Sequence, residues 1–196
     1  MAEKPEVLQN YLFDTALNNG AQLTGCTMIR KVEPVIILGF PYMDGWFLKY
    51  PYLATKRLGE EYMVSRQAIN SLCKILQSEG YSAAGKSVLS MWGDFRPLAV
   101  AAGLGDWGRN GLVVNKEHGS KLLFAAVFTD APLQPTSPDT SGQTTDEHSC
   151  DDCEECVRSC PARAFEGQHF NAYRCMAKVM KGCSDCLQSC QARTVH

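Results

Sequence analysis

Apolar residues recur at helical intervals over residues 5–18 (PEVLQNYLFDTALN), where Val7, Leu8, Tyr11, Leu12 and Leu17 predict an amphipathic helix. Pro5 suits its first turn and Gly20 its stop. The period then changes. Residues 34–40 (PVIILGF) form an unbroken, β-branched apolar run ended by Pro41, which predicts a buried strand. A longer helical period occupies residues 55–79 through Leu58, Tyr62, Ile69, Leu72 and Leu76, and Gly80 stops it. Residues 87–92 read as a short strand, 96–102 as a helical turn, and 112–115 and 122–128 as two more strands. Helices and strands alternate irregularly, so the pattern predicts a layered α/β or α+β fold.

The periodicity ends at residues 132–149 (PLQPTSPDTSGQTTDEHS), which are rich in Pro, Ser, Thr and Asp and nearly free of apolar side chains. That composition reads as a linker. It divides the 196-residue chain into a front domain (1–133), a linker (134–149) and a tail (150–196). Composition changes little in this picture. With 45% hydrophobic and 20% charged residues the chain is long enough to bury a core unaided. A net charge of −2 lacks the basic excess of a nucleic-acid binder. There is no run of 18 apolar residues to span a membrane. The polar start (MAEKPEVLQN) has no apolar signal-peptide region, so a cytoplasmic location is expected.

Cysteine does change the picture. Of ten cysteines, Cys26 and Cys73 stand alone and eight fall between Cys150 and Cys190. In a reducing compartment such clusters more often bind metal than form disulfides. Cys150, Cys153, Cys156 and Cys160 have the spacing C-x2-C-x2-C-x3-C, followed by Pro161. This is the bacterial ferredoxin run, in which the fourth cysteine serves the other of two clusters. A second set is therefore required. Cys183, Cys186 and Cys190 repeat the x2 and x3 spacings, and Cys175 lies upstream. The crossed rule gives two [4Fe–4S] clusters. The first takes Cys150, Cys153, Cys156 and Cys190, and the second takes Cys160, Cys175, Cys183 and Cys186. Zinc and disulfides are the competing readings, and the x2-x2-x3-Pro spacing suits neither as well. Cys73, on the apolar side of a helix, and Cys26, after Gly25, read as small hydrophobes rather than ligands.

Charge is uneven around these sets. Asp146, Glu147, Asp151, Asp152, Glu154 and Glu155 crowd the first, and Arg163, Arg174, Lys178 and Lys181 surround the second. Because net charge tunes a cluster's potential, the first is expected to be the lower of the two. In the front domain, Gly103-Leu104-Gly105-Asp106-Trp107-Gly108 fits G-x-G-x-x-G. A dinucleotide site would need a strand before it and a helix after it, and the reverse order is read here. A tight turn, or a close backbone approach to some other large cofactor, remains open.

Taken together, residues 80–83 (GYSA), 97–112 (PLAVAAGLGDWGRNGL) and 127–133 (VFTDAPL) resemble blocks of the corrinoid-dependent reductive dehalogenases and their relative epoxyqueuosine reductase, PLA-x-AGLGE-x-GRNGL and VFTDLPL. The tail follows in that family's order, with Arg174-Cys175 and Gly182-Cys183-Ser184-Asp185-Cys186 similar to its RC and GC-x-DC elements. The resemblance covers residues 56–190. It implies a nitroreductase-like α/β front domain able to hold a corrinoid, followed by a ferredoxin-like domain that feeds electrons to cobalt. Gly103, Gly105, Gly108, Arg109 and Asn110 would then lie beside the cofactor, and Tyr62 is the candidate proton donor. A ferredoxin- or flavodoxin-type electron donor is the implied partner. A front domain of about 130 residues is small for enclosing a corrinoid, which leaves room for a second chain, such as a homodimer partner. Two features depart from the family. Leu89 stands where epoxyqueuosine reductase has its D-T-A-P carboxylate, Asp94 being the nearest acid, and Gln191 follows Cys190 where that enzyme has proline.

Overall fold

The computed structural model describes residues 5–30, 32–41, 50–88, 93–136, 150–165 and 170–190, without the side chains of 51–55, 151 and 152. The fold is mixed α and β. It divides into two compact units, one of Met1–Pro41, Gly59–Leu104 and Leu123–Gly142, the other of Tyr42–Leu58, Gly105–Leu122 and Gln143–His196.

The first unit is built on a sheet. Helix α1 (Pro5–Asn18) opens the chain. Strands β1 (Leu23–Ile29) and β2 (Glu33–Pro41) form an antiparallel pair in which Cys26 faces Ile36 and Gly25 faces Ile37. Helix α2 (Pro51–Ser78) is followed by β3 (Ala83–Lys86), α3 (Arg96–Ala101) and, later, β6 (Leu122–Thr129). The strand order is β1-β2-β6-β3, with β3 antiparallel to β6.

Alternation along β2 explains its unbroken apolar run. Ile36, Leu38 and Phe40 join Leu8, Leu12 and Ala16 of α1 and Ala68, Ile69, Leu72 and Leu76 of α2 in one core. Val35 and Ile37 point the other way and are equally buried. On that side the end of α3 approaches β1 so closely that a Cβ on Gly25 would lie 2.8 Å from the Ala102 carbonyl. A strand covered on both faces needs no polar side. Each fully buried Leu or Phe contributes about 1.5–3 kcal/mol through burial.

The helices form where the periodicity places them, but the buried stripes differ. In α1 the core side is Leu8, Leu12 and Ala16, while Val7, Tyr11 and Leu17 are exposed. A four-residue step faces one narrow sheet, and the remaining apolar residues fall outside it. In α2 the stripe passes from Leu76, Leu72 and Ile69 through Ala68 to Ser65 and Glu61, with Tyr62 to one side and half-buried. The residue pattern predicts a strand at residues 87–92. The strand lies earlier, at Ala83–Lys86, and residues 89–92 are outside the described set.

The second unit holds a two-stranded hairpin, β4 (Asp106–Trp107) with β5 (Val113–Val114), and four short helices. These are α4 (Cys150–Cys153), α5 (Glu155–Arg158), α6 (Ala172–Val179) and α7 (Asp185–Ser189). Among the described residues no helix is long and apolar enough to cross a membrane.

Candidate metal centre

Tail helices this short need local devices to hold them, and each device sits within four residues of a cysteine. Glu154, between Cys153 and Cys156, takes the left-handed conformation (φ 48°) and breaks α4 from α5. Arg163, shortly after Cys160, does the same (φ 46°). The Asn171 side chain caps α6 by accepting from the Arg174 N–H at 3.1 Å. At the far end, the Gly182 N–H donates to the Val179 carbonyl and the Cys183 N–H to that of Lys178. This closing motif needs positive φ at Gly182 (83°) and turns the chain to present Cys183.

The eight tail thiols sort into two groups. Burial raises the Cys156 pKa, and the neighbouring thiols of Cys190, Cys150 and Cys153 raise it further. Burial likewise raises Cys175, with Cys160 and Cys183 as its charged neighbours. Cys186 is pushed up to about 11 by burial, then by Cys175, Cys183, Cys156 and Cys160. The thiols surrounding Cys156 are thus Cys150, Cys153 and Cys190, and those shared by Cys175 and Cys186 are Cys160 and Cys183. Cys156 and Cys186 link the groups.

Crowded thiols resist ionising together, and a bound cation reverses that penalty by favouring thiolate. The donor chemistry of each group, four sulfurs, fits a [4Fe–4S] cluster. Among the described residues no three Cys, His, Asp or Glu side chains converge as tightly as a single ion needs. Zinc would hold its sulfurs about 3.8 Å apart, from tetrahedral Zn–S bonds of about 2.3 Å. A four-iron cluster gives each thiolate its own iron and so suits a wider group.

The two halves of the tail repeat more than their cysteines. Glu155-Cys156-Val157-Arg158-Ser159-Cys160 matches Asp185-Cys186-Leu187-Gln188-Ser189-Cys190. Helices α5 and α7 pack together, and the Ser159 and Ser189 hydroxyls meet at 2.9 Å. Reading cysteine spacing alone passes over these serines, although the repeat contains the signal.

The glycine turn belongs partly to the same unit. A Cβ on Gly105 would lie 2.5 Å from the Val114 carbonyl, and one on Gly108 2.6 Å from Val114 Cγ2. The β4–β5 hairpin itself therefore requires these two glycines. Gly103, at φ 74°, follows the end of α3. Arg109 donates to the Glu154 carboxylate at 2.5 Å, tying the hairpin loop to the segment between Cys153 and Cys156. Asn110 differs. It is buried, its Oδ1 accepts from the Leu112 N–H at 3.1 Å, and its Nδ2 has no partner among the described residues. The buried Ser120 hydroxyl is also unpartnered there. A buried unsatisfied donor is costly unless a ligand or water meets it. A large polar cofactor therefore finds a donor at Asn110, while the Gly105 and Gly108 pair gives no independent sign of one.

Other candidate residues belong to the first unit. Tyr62 sits on α2 with the Arg66 guanidinium 5.8 Å from its ring centre. Cys26 is fully buried in the sheet core, and Cys73 is partly buried against it. A 380 Å³ surface groove bordered by Glu33, Ser82, Thr129 and Asp130 contains none of the sequence-predicted site residues.

Two curated proteins align with the chain at about one-third identity. A tetrachloroethene reductive dehalogenase of Dehalobacter restrictus is 32% identical over 116 residues, covering 58% of this chain and 20% of that protein. An epoxyqueuosine reductase of Pseudomonas aeruginosa is 31% identical over 132 residues, covering 64% of this chain and 34% of that one. The chain is a relative of the reductive dehalogenases and epoxyqueuosine reductases. This relative spans between a fifth and about a third of those two proteins. A crystal structure of selenomethionine-labelled epoxyqueuosine reductase shares its fold, with TM-score 0.74 at 17% identity over 98% of this chain and 67% of that one. No protein-family profile matches it. Its kinship supports a redox role.

Proposed function

We propose that this chain is a redox protein carrying two [4Fe–4S] clusters, the first on Cys150, Cys153, Cys156 and Cys190, the second on Cys160, Cys175, Cys183 and Cys186. The observation that carries this reading is the grouping of the tail thiols around Cys156 and around Cys175 and Cys186. In this reading the tail is a ferredoxin-like domain and the front a nitroreductase-like scaffold. When bound, the clusters supply one-electron storage. The chain's own residues do the rest. Ser159 and Ser189 hold α5 against α7, Glu154 and Gly182 turn the backbone so that the thiols converge, and Arg109 offsets the Glu154 charge.

A corrinoid reading adds a reductase. The unpaired Asn110 amide supports it, since it would donate to an acceptor on the cofactor, with Gly103, Gly105, Gly108 and Arg109 as the surrounding backbone. Tyr62 would be the proton donor. The second reading is an electron carrier with a non-catalytic front. It draws on Gly105 and Gly108 being required by the hairpin and Arg109 being engaged with Glu154. Metal analysis and the visible spectrum of anaerobically purified protein decide between them. About eight iron per chain with cobalt selects the reductase. Iron without cobalt, and no uptake of added cobalamin, selects the carrier. Zinc in place of iron overturns both.

A further inference from the structure

Helix α6 is nearly bare. From Asn171 to Gly182 every residue is exposed except Cys175, which is half-buried. Tyr173 is 91% exposed, Met176 59% and Met180 82%. These three stand at i, i+3 and i+7 and make one stripe. Cys175 stands about 130° round the helix from the centre of this stripe, with Met176 its neighbour in sequence. About 130° round the helix from the stripe on the other side, with Ala177 between, the same segment carries Arg174, Lys178 and Lys181 and no acidic residue, in a chain whose net charge is −2. Arg174 is steadied by donating to the Arg163 carbonyl at 3.2 Å. A helix of eight residues is marginal in water, and its apolar side gains nothing from remaining wet.

We infer that the outer face of α6 is the docking surface for an acidic one-electron carrier protein, which delivers its electron through Cys175 to the second cluster. Charge selects the partner, because three clustered cations attract an acidic surface and steer its approach. The apolar stripe supplies adaptable contact, as methionine-rich surfaces do for partners that must also leave. Position completes the assignment, since the one partly buried residue of the helix is a proposed cluster ligand. In the transfer the carrier is oxidised by one electron and the cluster is reduced by one, and no bond forms or breaks. The inference rests on the two-cluster reading proposed above.

The test compares full-length protein, reconstituted anaerobically with iron and sulfide, with the K178E/K181E variant. Iron per chain is measured first, and protein without iron defeats the two-cluster reading itself. Cluster reduction is then followed by stopped flow with two reductants, a reduced acidic flavodoxin and the cationic methyl viologen radical. The inference expects the variant to be reduced at least tenfold more slowly by flavodoxin at low salt, with a flatter salt dependence, and to be slowed with methyl viologen by no more than the measured fall in cluster midpoint accounts for. M176S/M180S is expected to weaken flavodoxin binding about tenfold with the salt dependence kept. Equal flavodoxin rates in iron-loaded wild-type and variant protein overturn the inference. So does a concentration-dependent dimer, seen by sedimentation, that M176S/M180S dissolves, because the face would then belong to a second copy.

Discussion

The hydroxyls of Ser159 and Ser189 are 2.9 Å apart, and each also reaches the carbonyl three residues before it, Cys156 or Cys186, at 3.4 Å. The same contacts thus occur twice, and the two halves of the tail meet through matching residues. Replacing either serine by alanine removes the shared hydroxyl hydrogen bond, worth about 0.5–1.5 kcal/mol, together with that serine's longer contact to its own carbonyl. A double-mutant cycle should show coupling, because both side chains share one contact. The readout is the rate of iron release to a chelator, with S159T expected to retain iron better than S159A. Additive single effects would show that the pair does not act as a unit.

The crossed ligand assignment has a direct consequence. C150A and C190A should lose the same cluster although they lie at opposite ends of the tail, each retaining about four iron per chain. C175A and C186A should lose the other. Electron paramagnetic resonance of the reduced variants distinguishes the two residual signals. If C190A instead matches C186A, the crossing is wrong.

Arg109 and Glu154 are each more than one-third exposed, so their ion pair contributes little to stability, within about 1 kcal/mol. Its electrostatic role should be easier to detect. Glu155 is also paired, with Arg158 at 3.1 Å, so described acids near the first thiol group are partly offset. R109Q exposes an uncompensated carboxylate there and should lower the midpoint of the first cluster while leaving the second nearly unchanged. A redox titration measures both. It also tests whether the first cluster lies below the second, as the surrounding charge implies.

Burial pushes the Cys26 thiol up to about 11, against an ordinary value of 9.0. The folded state therefore holds this proton more tightly than the unfolded chain. That stability is fully present below pH 9 and is lost as pH rises through 11, to a limit of about 2.7 kcal/mol. Denaturant midpoints at pH 8 and pH 11.5 check it. Wild type should fall more steeply than C26A, and parallel losses would contradict the shift.

Gly85 in β3 has no room for a side chain. A Cβ there would lie 2.0 Å from Ile69 Cγ2. G85A should destabilise the fold by about 1–3 kcal/mol through overpacking. Adding I69A should recover part of the loss, as measured by chemical denaturation. If I69A only deepens it, another contact sets the restriction.

Much of the fold could be read from spacing. Helix α1 matches the period over residues 5–18, and β2 extends the apolar run at 34–40 by one residue at each end. Both signals are local, because a helical stripe or a continuous buried run is written in neighbouring residues. Strands β3 and β4 were not legible. Ala-Ala-Gly-Lys and Asp-Trp have little strand preference of their own, and they extend because β6 and β5 offer backbone partners. The G-x-G-x-x-G match shows the same limit. Its pattern says only that side chains are unwelcome, and the Val114 backbone and side chain explain why at two of the three glycines.

The sequence by itself determined where the candidate ligands fall: eight cysteines in two spaced sets, with a repeat around them, because spacing in such runs is a local property of the chain. The tertiary structure decided what surrounds them. It brought Ser159 to Ser189, gave Arg109 to Glu154 instead of leaving it free, left the Asn110 amide without a partner among the described residues, and turned the stripe of α6 outward. Each of these depends on residues distant in sequence or on which face a neighbour covers. Pairing and burial arise from packing, and no local pattern encodes them.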